Sequence, residues 1–272
     1  IQPYDDLNLW TANKLDAVVV GIELTPQYPF LAALEDCVLY GVDPAHICIS
    51  GDSSGGTLTA TATQILQNNP EYKEKIKAQA LIYPGLQFID SLMPSHQDYE
   101  HGPFLSREMA IKLARLYLTE NTSLKQALLR NEHMPEGSGH LFKFVNWSDF
   151  LPDKYKKNHI YTKPILGKLN ASYPALLDSR LSPLLASDSQ LQSLPLTYIL
   201  TCEPDIVRDD GFIYVARLRN VGVQVTHDHI EDRVHGAITL TTLPYNLHLG
   251  LRIRDKYINW LEKKLQIKCA CS

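Results

Sequence analysis

The stretch Gly51-Asp52-Ser53-Ser54-Gly55, followed by Gly56, decides the fold of this 272-residue chain. A short apolar run precedes it at 45–50, and a helix-like run follows at 56–66. Strand, glycine-flanked turn and helix form the context in which a G-x-S-x-G pattern marks a nucleophile elbow. The serine occupies a strained turn where neighbouring β-carbons do not fit, and the helix N-terminus favours developing negative charge. We therefore predict Ser53 as a nucleophile, rather than as part of a Gly/Ser-rich loop.

A serine hydroxyl needs a base, and the base needs an orienting acid. The buried run at 195–202 predicts a strand that leads to Asp205, and the run at 223–230 predicts another that leads to His235. A helix is predicted between them, from about 209 to 221. Because loops at the ends of parallel strands converge at one edge of the sheet, we predict Asp205 as the acid and His235 as the base.

Other acids and histidines compete for these roles. Asp209 and Asp210 lie close to Asp205, but their surroundings predict a helix start, where acids favour the helix dipole. His227 and His229 share one face of a strand, which leaves a metal pair as an alternative, although no third ligand is evident. Six other histidines fall in polar segments and are predicted to lie at the surface: His96, His101, His133, His140, His159 and His248.

The chain as a whole (1–272) predicts a single α/β domain with an insertion. Continuously apolar runs at 16–23, 45–50 and 79–83 predict buried parallel strands, with helices on both faces of the sheet. After Pro84-Gly85 the pattern breaks, and the proline-rich residues 86–193 are predicted to form a cap or lid over the site.

Two further helices are predicted from their apolar spacing. Inside the insertion only 106–119 is clearly helical, with Ser106 as its N-cap. A closing amphipathic helix is predicted from about 247 to 265. The apolar face of the first of these helices carries Met109, Leu113, Leu116 and Tyr117.

Taken together, these motifs resemble the arylacetamide deacetylase family, within the hormone-sensitive-lipase-like α/β-hydrolases. The resemblance implies an α/β-hydrolase fold and a carboxylic ester hydrolase that acts on small acyl esters, aryl acetamides or neutral lipids, without a cofactor or metal. It places the family's triad on Ser53, Asp205 and His235, and one oxyanion-hole amide on Ser54. The matching stretches are 10–20, 32–36, 40–44, 51–56, 140–148, 194–202, 208–211, 214–225 and 235–237.

The sequence also departs from that family. Its members carry an upstream His-Gly-Gly motif whose amides build most of the oxyanion hole, and this sequence contains no such motif. Because the chain opens at Ile1, we expect the first strands of the usual sheet to be missing. Other differences are a gap between Asp36 and Tyr40 and an arginine, Arg233, in place of a small residue. Losing one oxyanion donor costs about 100- to 1,000-fold in turnover, so the alternative function is a catalytically impaired fragment or pseudo-enzyme.

Composition and short motifs restrict the classes of partner and the cellular compartments expected for this chain. A net charge of -4 without a basic run argues against nucleic acid. The resemblance implies a small ester or amide as the partner. No apolar stretch approaches the ~18 residues that span a bilayer, so membrane association would require a segment before Ile1. Glycosylation sequons begin at Asn121, Asn146 and Asn170 and, with the resemblance, predict the endoplasmic-reticulum lumen or secretion. The five cysteines leave the compartment open, with Cys37 and Cys48 predicted to be buried.

Overall fold

A parallel sheet of four strands organises the part of the chain that the structure, a computed structural model, describes: residues 2–19, 47–73, 75–119, 121–168, 173–241 and 248–265. The strands lie in chain order as β1 (Ile47–Asp52), β2 (Ile76–Ile82), β3 (Leu196–Cys202) and β4 (Val225–Ile230). The α-helices are α1 (Gln2–Leu15), α2 (Ser54–Gln67), α3 (Pro94–Asp98), α4 (Arg107–Leu118), α5 (Ser123–Leu129), α6 (Trp147–Phe150), α7 (Asp188–Gln192), α8 (Arg208–Asn220) and α9 (Leu251–Lys264).

The registers of the strand pairs bring the carboxyl ends of the strands to one edge. Asp52 pairs with Ile82, Ile82 pairs with Leu200, and Cys202 pairs with Ile230. The parallel pairing predicted for these runs is therefore confirmed. Its consequence is that the residues immediately after β1, β2 and β3, beginning with Ser53, Tyr83 and Glu203, lie side by side at this edge.

The predicted strand at 16–23 is wrong in its described part. Residues 2–15 instead form α1, which was not predicted, and Asp16 adopts a left-handed conformation with φ 48° that ends the helix. The backbone amide of Ala17 donates to the carbonyl of Ala12 (3.1 Å), and 17–19 form no strand. The rest of this prediction, the gap between Asp36 and Tyr40, and Cys37 lie outside the described residues.

Side chains on the two faces of the sheet enter two separate cores. Leu81 of β2 and Ile199 of β3 pack with Ile213 and Tyr214 of α8 on one face. The opposite face packs against α1 and α9 and buries Ala80, Ile82, Tyr198, Leu200, Leu15, Trp260 and Leu261. Because both faces are covered, the strands read as continuously apolar runs, and the predicted arrangement of helices on both faces is confirmed.

The region 86–193 contains more helices than the sequence indicated, because α3, α5, α6 and α7 accompany the predicted helix α4. Helix α4 begins as expected, since the Ser106 hydroxyl accepts from the amide of Met109 (3.2 Å). The helix buries Ile111 against Leu124 and Leu128 of α5. Its opposite, exposed face carries the apolar residues Met109, Leu113, Leu116 and Tyr117.

The Arg107 side chain explains how α4 is rotated. Its guanidinium donates to the carbonyls of Ser91 (3.0 Å) and Leu129 (2.7 Å), and the side chain is buried. These bonds fix the first turn of α4 against its neighbours. With the first turn held in this way, the apolar residues on the other side of α4 stay exposed to solvent. The spacing of apolar residues alone does not predict this result.

Two predictions of burial need correction. His133 was predicted at the surface but is only 1% exposed, and its Nε2 lies 2.7 Å from the carbonyl oxygen of Phe88. Burial lowers the pKa of His133 to about 4, so the ring is neutral and Nε2–H donates. Cys48 was predicted to be buried but is half-buried, because β1 is the outermost described strand of the sheet. Among the described helices, none combines the length and apolar character needed to cross a bilayer.

Candidate active site

The nucleophile elbow predicted at residues 51–56 is present as a strand–turn–helix. Ser53 lies between the end of β1 and the start of α2, with φ 53° and ψ -119°, in a region that residues with a β-carbon rarely occupy. Its backbone amide donates to the carbonyl of Ile82 (2.9 Å), which ties the turn to the neighbouring strand. Strain of this kind costs about 1–3 kcal/mol and persists where surrounding contacts fix it.

Gly51 has no room for a side chain. A β-carbon there would lie 2.3 Å from the carbonyl oxygen of Gly55 and 2.9 Å from the Thr59 hydroxyl. A β-carbon on Gly55 would meet nothing within 4 Å. The two glycines of the motif therefore differ in their physical role, since only the first is required by contact.

We expect Gly51→Ala to lower the free energy of unfolding by about 3 kcal/mol and to displace the turn that carries Ser53, because the elbow must open to admit the methyl group. The matched change Gly55→Ala should alter stability by less than about 1 kcal/mol, because its site is open and alanine favours helix. Urea unfolding of both variants measures the difference. Equal stability of the two variants would contradict the packing described for Gly51.

The structure brings the three predicted side chains together in one hydrogen-bonded chain. Ser53 Oγ lies 2.8 Å from His235 Nε2, and His235 Nδ1 lies 2.9 Å from Asp205 Oδ2. A carboxylate only accepts, so Nδ1 carries the proton and Nε2 accepts from the serine hydroxyl. Asp205 is 2% exposed and His235 is 7% exposed, so water competes little for these bonds.

Asp205 is oriented by its own loop. The amide of Val207 donates to Oδ1 of Asp205 (3.0 Å), which leaves Oδ2 directed to the imidazole. The loop begins directly after β3, and the base follows β4. Gly236, with φ 73°, allows the chain to turn immediately after His235. Two neighbouring strands thus supply the acid and the base at the edge where β1 supplies the serine.

The two rival acids have other partners. Asp209 accepts from the Arg208 guanidinium (2.9 Å) and the Ser95 amide (2.7 Å). Asp210 accepts from the amide of Leu86 (2.8 Å), and burial raises its pKa to about 7. Both side chains therefore hold the beginning of the region 86–193 against α8, and only Asp205 reaches the imidazole.

Ser54 is the first residue of α2, and its side chain is exposed. The first amides of a helix have no intrahelical acceptor, so the Ser54 N–H is available at the N-terminal end where the nucleophile stands. The role of this amide as an oxyanion donor stays a prediction. Such a donor acts together with the positive end of the helix dipole.

The histidine pair His227 and His229 is joined by a hydroxyl. Thr201 Oγ1 lies 2.9 Å from His227 Nε2 and 2.9 Å from His229 Nδ1. Burial lowers the pKa of His227 to about 4. Within the described ranges, no group of three or more His, Cys, Asp or Glu side chains is arranged to hold a metal ion.

A charged cluster lies beside the acid loop. Glu203 accepts from Tyr155 (2.8 Å) and from Arg208 (2.7 Å). Burial alone would raise the pKa of Glu203, but the Tyr155 hydrogen bond and the Arg208 charge lower it to about 2. An open cleft of about 390 Å³ adjoins the cluster and is lined by Asp98, Lys154, Tyr155, Asn158, His159, Glu203, Arg208 and Glu231, none of which belongs to the predicted site.

Sequence reasoning missed a tyrosine that touches the base. The Tyr83 ring packs against the His235 ring, with centroids 4.8 Å apart and an interplanar angle of 53°. Tyr83 is 1% exposed and has φ 36°, so its backbone is strained like that of Ser53. Its position directly after β2 is the sequence signal that could have identified it, because that position faces the same edge of the sheet.

Comparison with known proteins finds similarity along most of the chain. A family model described as alpha/beta hydrolase fold matches residues 2–156 and 146–239. The chain is 58% identical to arylacetamide deacetylase-like 2 of Homo sapiens, with 96% of this chain and 69% of the human protein covered. It is 46% identical to arylacetamide deacetylase of Bos taurus (96% and 69% covered) and 40% identical to neutral cholesterol ester hydrolase 1 of Pongo abelii (97% and 70% covered).

Solved structures share the fold at lower sequence identity. Carboxyl esterase 2 of Tuber melanosporum superposes with a TM-score of 0.62 at 20% identity, covering 97% of this chain and 73% of the esterase. An esterase of Pyrobaculum calidifontis gives a TM-score of 0.60 at 22% identity, with 97% and 71% covered. At such identities the likeness shows the fold alone.

Proposed function

The chain belongs to the α/β-hydrolase fold family and to its carboxylic ester hydrolases, and from that membership we propose that it cleaves esters and aryl acetamides through Ser53, His235 and Asp205. What supports the proposal is the continuous chain of hydrogen bonds from Ser53 Oγ through the imidazole to a buried carboxylate. A serine alone at a turn would lack a base, and an imidazole alone would lack an orienting group.

The mechanism we propose is acyl transfer in two steps. His235 Nε2 takes the proton of Ser53 as Oγ attacks the carbonyl carbon, and Asp205 stabilises the imidazolium that forms. The Ser54 amide donates to the carbonyl oxygen as it becomes negative. His235 then protonates the leaving alcohol or amine, and water repeats the sequence on the acyl-enzyme to regenerate Ser53.

The region 86–193 is proposed as the cap that shapes the substrate pocket. Its support is the set of contacts between this region and the acid loop. The Ser95 hydroxyl donates to the carbonyl of Ile206 (2.7 Å). Tyr99 and Tyr155 donate to Glu203, two residues before the acid. A cap anchored on this loop lies next to the site and can select among acyl chains.

The substrate classes proposed are small acyl esters, aryl acetamides and neutral lipids. The matched relatives support this range, because their names include an arylacetamide deacetylase and a neutral cholesterol ester hydrolase. The experiment is hydrolysis of p-nitrophenyl acetate, p-nitrophenyl butyrate, an aryl acetamide and a cholesteryl ester by the purified chain. We expect turnover of the short esters at least. A chain that melts cooperatively but cleaves none of the four would favour the non-enzymatic alternative.

The endoplasmic-reticulum lumen or the extracellular space is the proposed location. Asn121 supports it, because this sequon residue is exposed, whereas the side chain of Asn146 donates to Asp149 (2.5 Å) and caps α6. Asn170 lies outside the described residues. Treatment of the secretory-expressed chain with a glycosidase tests whether Asn121 carries a glycan. A mobility shift that persists in Asn121→Gln would contradict the assignment of the glycan to this residue.

A further inference from the structure

A half-buried carboxylate other than Asp205 lies close to the base. Asp52 is the last residue of β1 and directly precedes the nucleophile. Its Oδ2 accepts from the Tyr83 hydroxyl (3.1 Å) and from the Tyr4 hydroxyl of α1 (3.2 Å). The Tyr83 hydroxyl that donates to Asp52 belongs to the ring that packs against His235. Residues from three segments far apart in the chain are thus linked, through Tyr83, to the imidazole.

The direction of these hydrogen bonds follows from the acidities of the groups. Burial and the charge of Asp52 raise the pKa of Tyr83 well above its usual value, and the same two causes raise the pKa of Tyr4. Both phenols therefore stay protonated and donate. Desolvation is the largest effect and raises the pKa of Asp52 overall, and the hydrogen bonds from Tyr83 and Tyr4 offset part of that rise. The two donated hydrogen bonds hold Oδ2 of Asp52 as an acceptor.

The charge of Asp52 is coupled to the base. Protonated His235 is among the groups that lower the pKa of Asp52. Asp52 is one tyrosine away from the base, because the Tyr83 hydroxyl donates to its Oδ2 while the Tyr83 ring packs on the imidazole. A negative charge at that distance favours a positive charge on the imidazole. In acyl transfer the imidazolium forms as the serine proton is removed, so a second carboxylate stabilises the charge that develops.

Local backbone geometry keeps this arrangement in place. Tyr83 is held at φ 36° by its amide, which donates to the carbonyl of Leu200 (2.7 Å). Pro84, the next residue, packs so closely on α2 that a β-carbon on Gly56 would lie 2.9 Å from it. The turn that carries Tyr83 is therefore fixed between β3 and α2. Backbone strain is retained at Ser53 and Tyr83, which directly follow two neighbouring strands of the sheet.

From these contacts we propose that Asp52 and Tyr83 are positioning residues for the base: Tyr83 holds the His235 ring by packing, and the carboxylate of Asp52, anchored by Tyr83 and Tyr4, stabilises the imidazolium alongside Asp205. The inference rests on the proposed esterase function. It adds to that function a second electrostatic support and a link from α1 to the catalytic base.

The titratable groups around this junction come from several elements. Asp205 faces the imidazole from the loop after β3, and Tyr83 faces it from the end of β2. Asp52, at the end of β1, contacts Tyr83, and Tyr4 of α1 contacts Asp52. Cys202 lies close enough to Tyr83 to affect it, but burial raises the pKa of this thiol and keeps it neutral. On the loop of the base, Arg233 pairs with Asp232 (2.9 Å).

The test compares three variants of the full chain. Asp52→Asn removes the charge and keeps the shape, and Tyr83→Phe keeps the ring and removes the hydroxyl. The matched control is Tyr257→Phe, which removes a tyrosine hydroxyl bonded to Ser50 of the same strand (2.8 Å) but takes no part in the contacts of His235. Each variant is assayed for kcat/KM on p-nitrophenyl acetate from pH 5 to 9, with thermal unfolding as the control for folding.

We expect Asp52→Asn to lower kcat/KM roughly 10-fold and to move the acid limb of the profile to lower pH by roughly 0.5–1 unit. The sign follows because the carboxylate favours the imidazolium, so its loss lets the ring become neutral at lower pH. Tyr83→Phe should lower kcat about 3-fold or more. Tyr257→Phe should leave both kcat/KM and the acid limb of the pH profile unchanged. If Asp52→Asn lowers kcat/KM but leaves the acid limb of the pH profile where it is in the unaltered chain, the proposal is overturned. A loss of activity that comes only from disturbed structure would give that result.

A second measurement separates this inference from the proposed function. The downfield proton resonance of the His235–Asp205 hydrogen bond is followed by NMR against pH, with His235→Ala used for its assignment; no substrate is needed. If its titration midpoint falls in Asp52→Asn while no ester is cleaved, the proposed function fails and the coupling stands. If esters are cleaved and the midpoint is the same in both proteins, the coupling fails and the function stands.

Should Asp52→Asn fail to fold, Tyr83→Phe carries the same comparison, and an unchanged midpoint and rate in that variant would overturn the proposal.

Discussion

Replacement of Ser53 by alanine is expected to lower kcat for p-nitrophenyl acetate by about 10⁵- to 10⁶-fold, the largest effect of any single change in this chain. The serine Oγ is the atom that His235 activates at 2.8 Å, and no covalent acyl-enzyme forms without it. Steady-state hydrolysis measures the loss. The half-exposed side chain lies at a surface turn, so thermal unfolding should change little.

The matched control for this change is Ser54→Ala. The Ser54 side chain is exposed, and the variant keeps the backbone amide that is proposed to bind the oxyanion. We expect its turnover to remain within about 3-fold of the unaltered chain, as is usual for exposed positions. If Ser53→Ala kept a tenth or more of the activity, the hydrolysis would arise elsewhere in the molecule and the elbow would not be the site.

Asp205→Asn is expected to lower kcat by about 10⁴-fold while leaving the shape of the site intact. The carboxylate accepts from His235 Nδ1 at 2.9 Å, whereas the amide group of asparagine can donate to that nitrogen. The imidazole then carries its proton on Nε2 and can no longer accept from Ser53. The expected signature is lost turnover, measured as kcat, with a cooperative thermal transition preserved.

Asp209→Asn provides the control for the loss of a buried acid. Asp209 is as buried as Asp205, but it bonds to Arg208 and Ser95 rather than to the imidazole. We expect Asp209→Asn to reduce stability by about 1–3 kcal/mol, because Arg208 loses a charged partner, and to keep kcat within about 10-fold. A larger loss of kcat in Asp209→Asn than in Asp205→Asn would reassign the acid.

The sequence was sufficient to predict the parts of the site that obey local rules. The glycine-flanked Ser53 between an apolar run and a helix is a local pattern, and its strand–turn–helix is present. Asp205 and His235 were reached by one topological rule, that loops after parallel strands converge, and the register of β3 and β4 satisfies it. Such predictions need no knowledge of distant contacts.

Features that depend on distant contacts were missed. Asp52 was visible within the elbow motif, but its partners Tyr4 and Tyr83 lie 48 and 31 residues away, and nothing local indicates that they meet. His133 was misplaced because its polar neighbours suggest solvent, whereas the carbonyl of Phe88 provides a buried acceptor. The apolar face of α4 was correctly identified as a stripe, yet the bonds of Arg107 decide which side of the helix is covered.

Labelling of the purified chain with a fluorophosphonate, followed by mass spectrometry of the modified peptide, tests whether Ser53 is the activated nucleophile. We expect a single adduct on Ser53, formed by the folded chain and absent after replacement of His235 by alanine or after heat denaturation. Because the adduct requires a serine made nucleophilic by its base, it reports on the assembled site and not on any one substrate. An adduct on another residue, or none in a chain that unfolds cooperatively, would contradict the account.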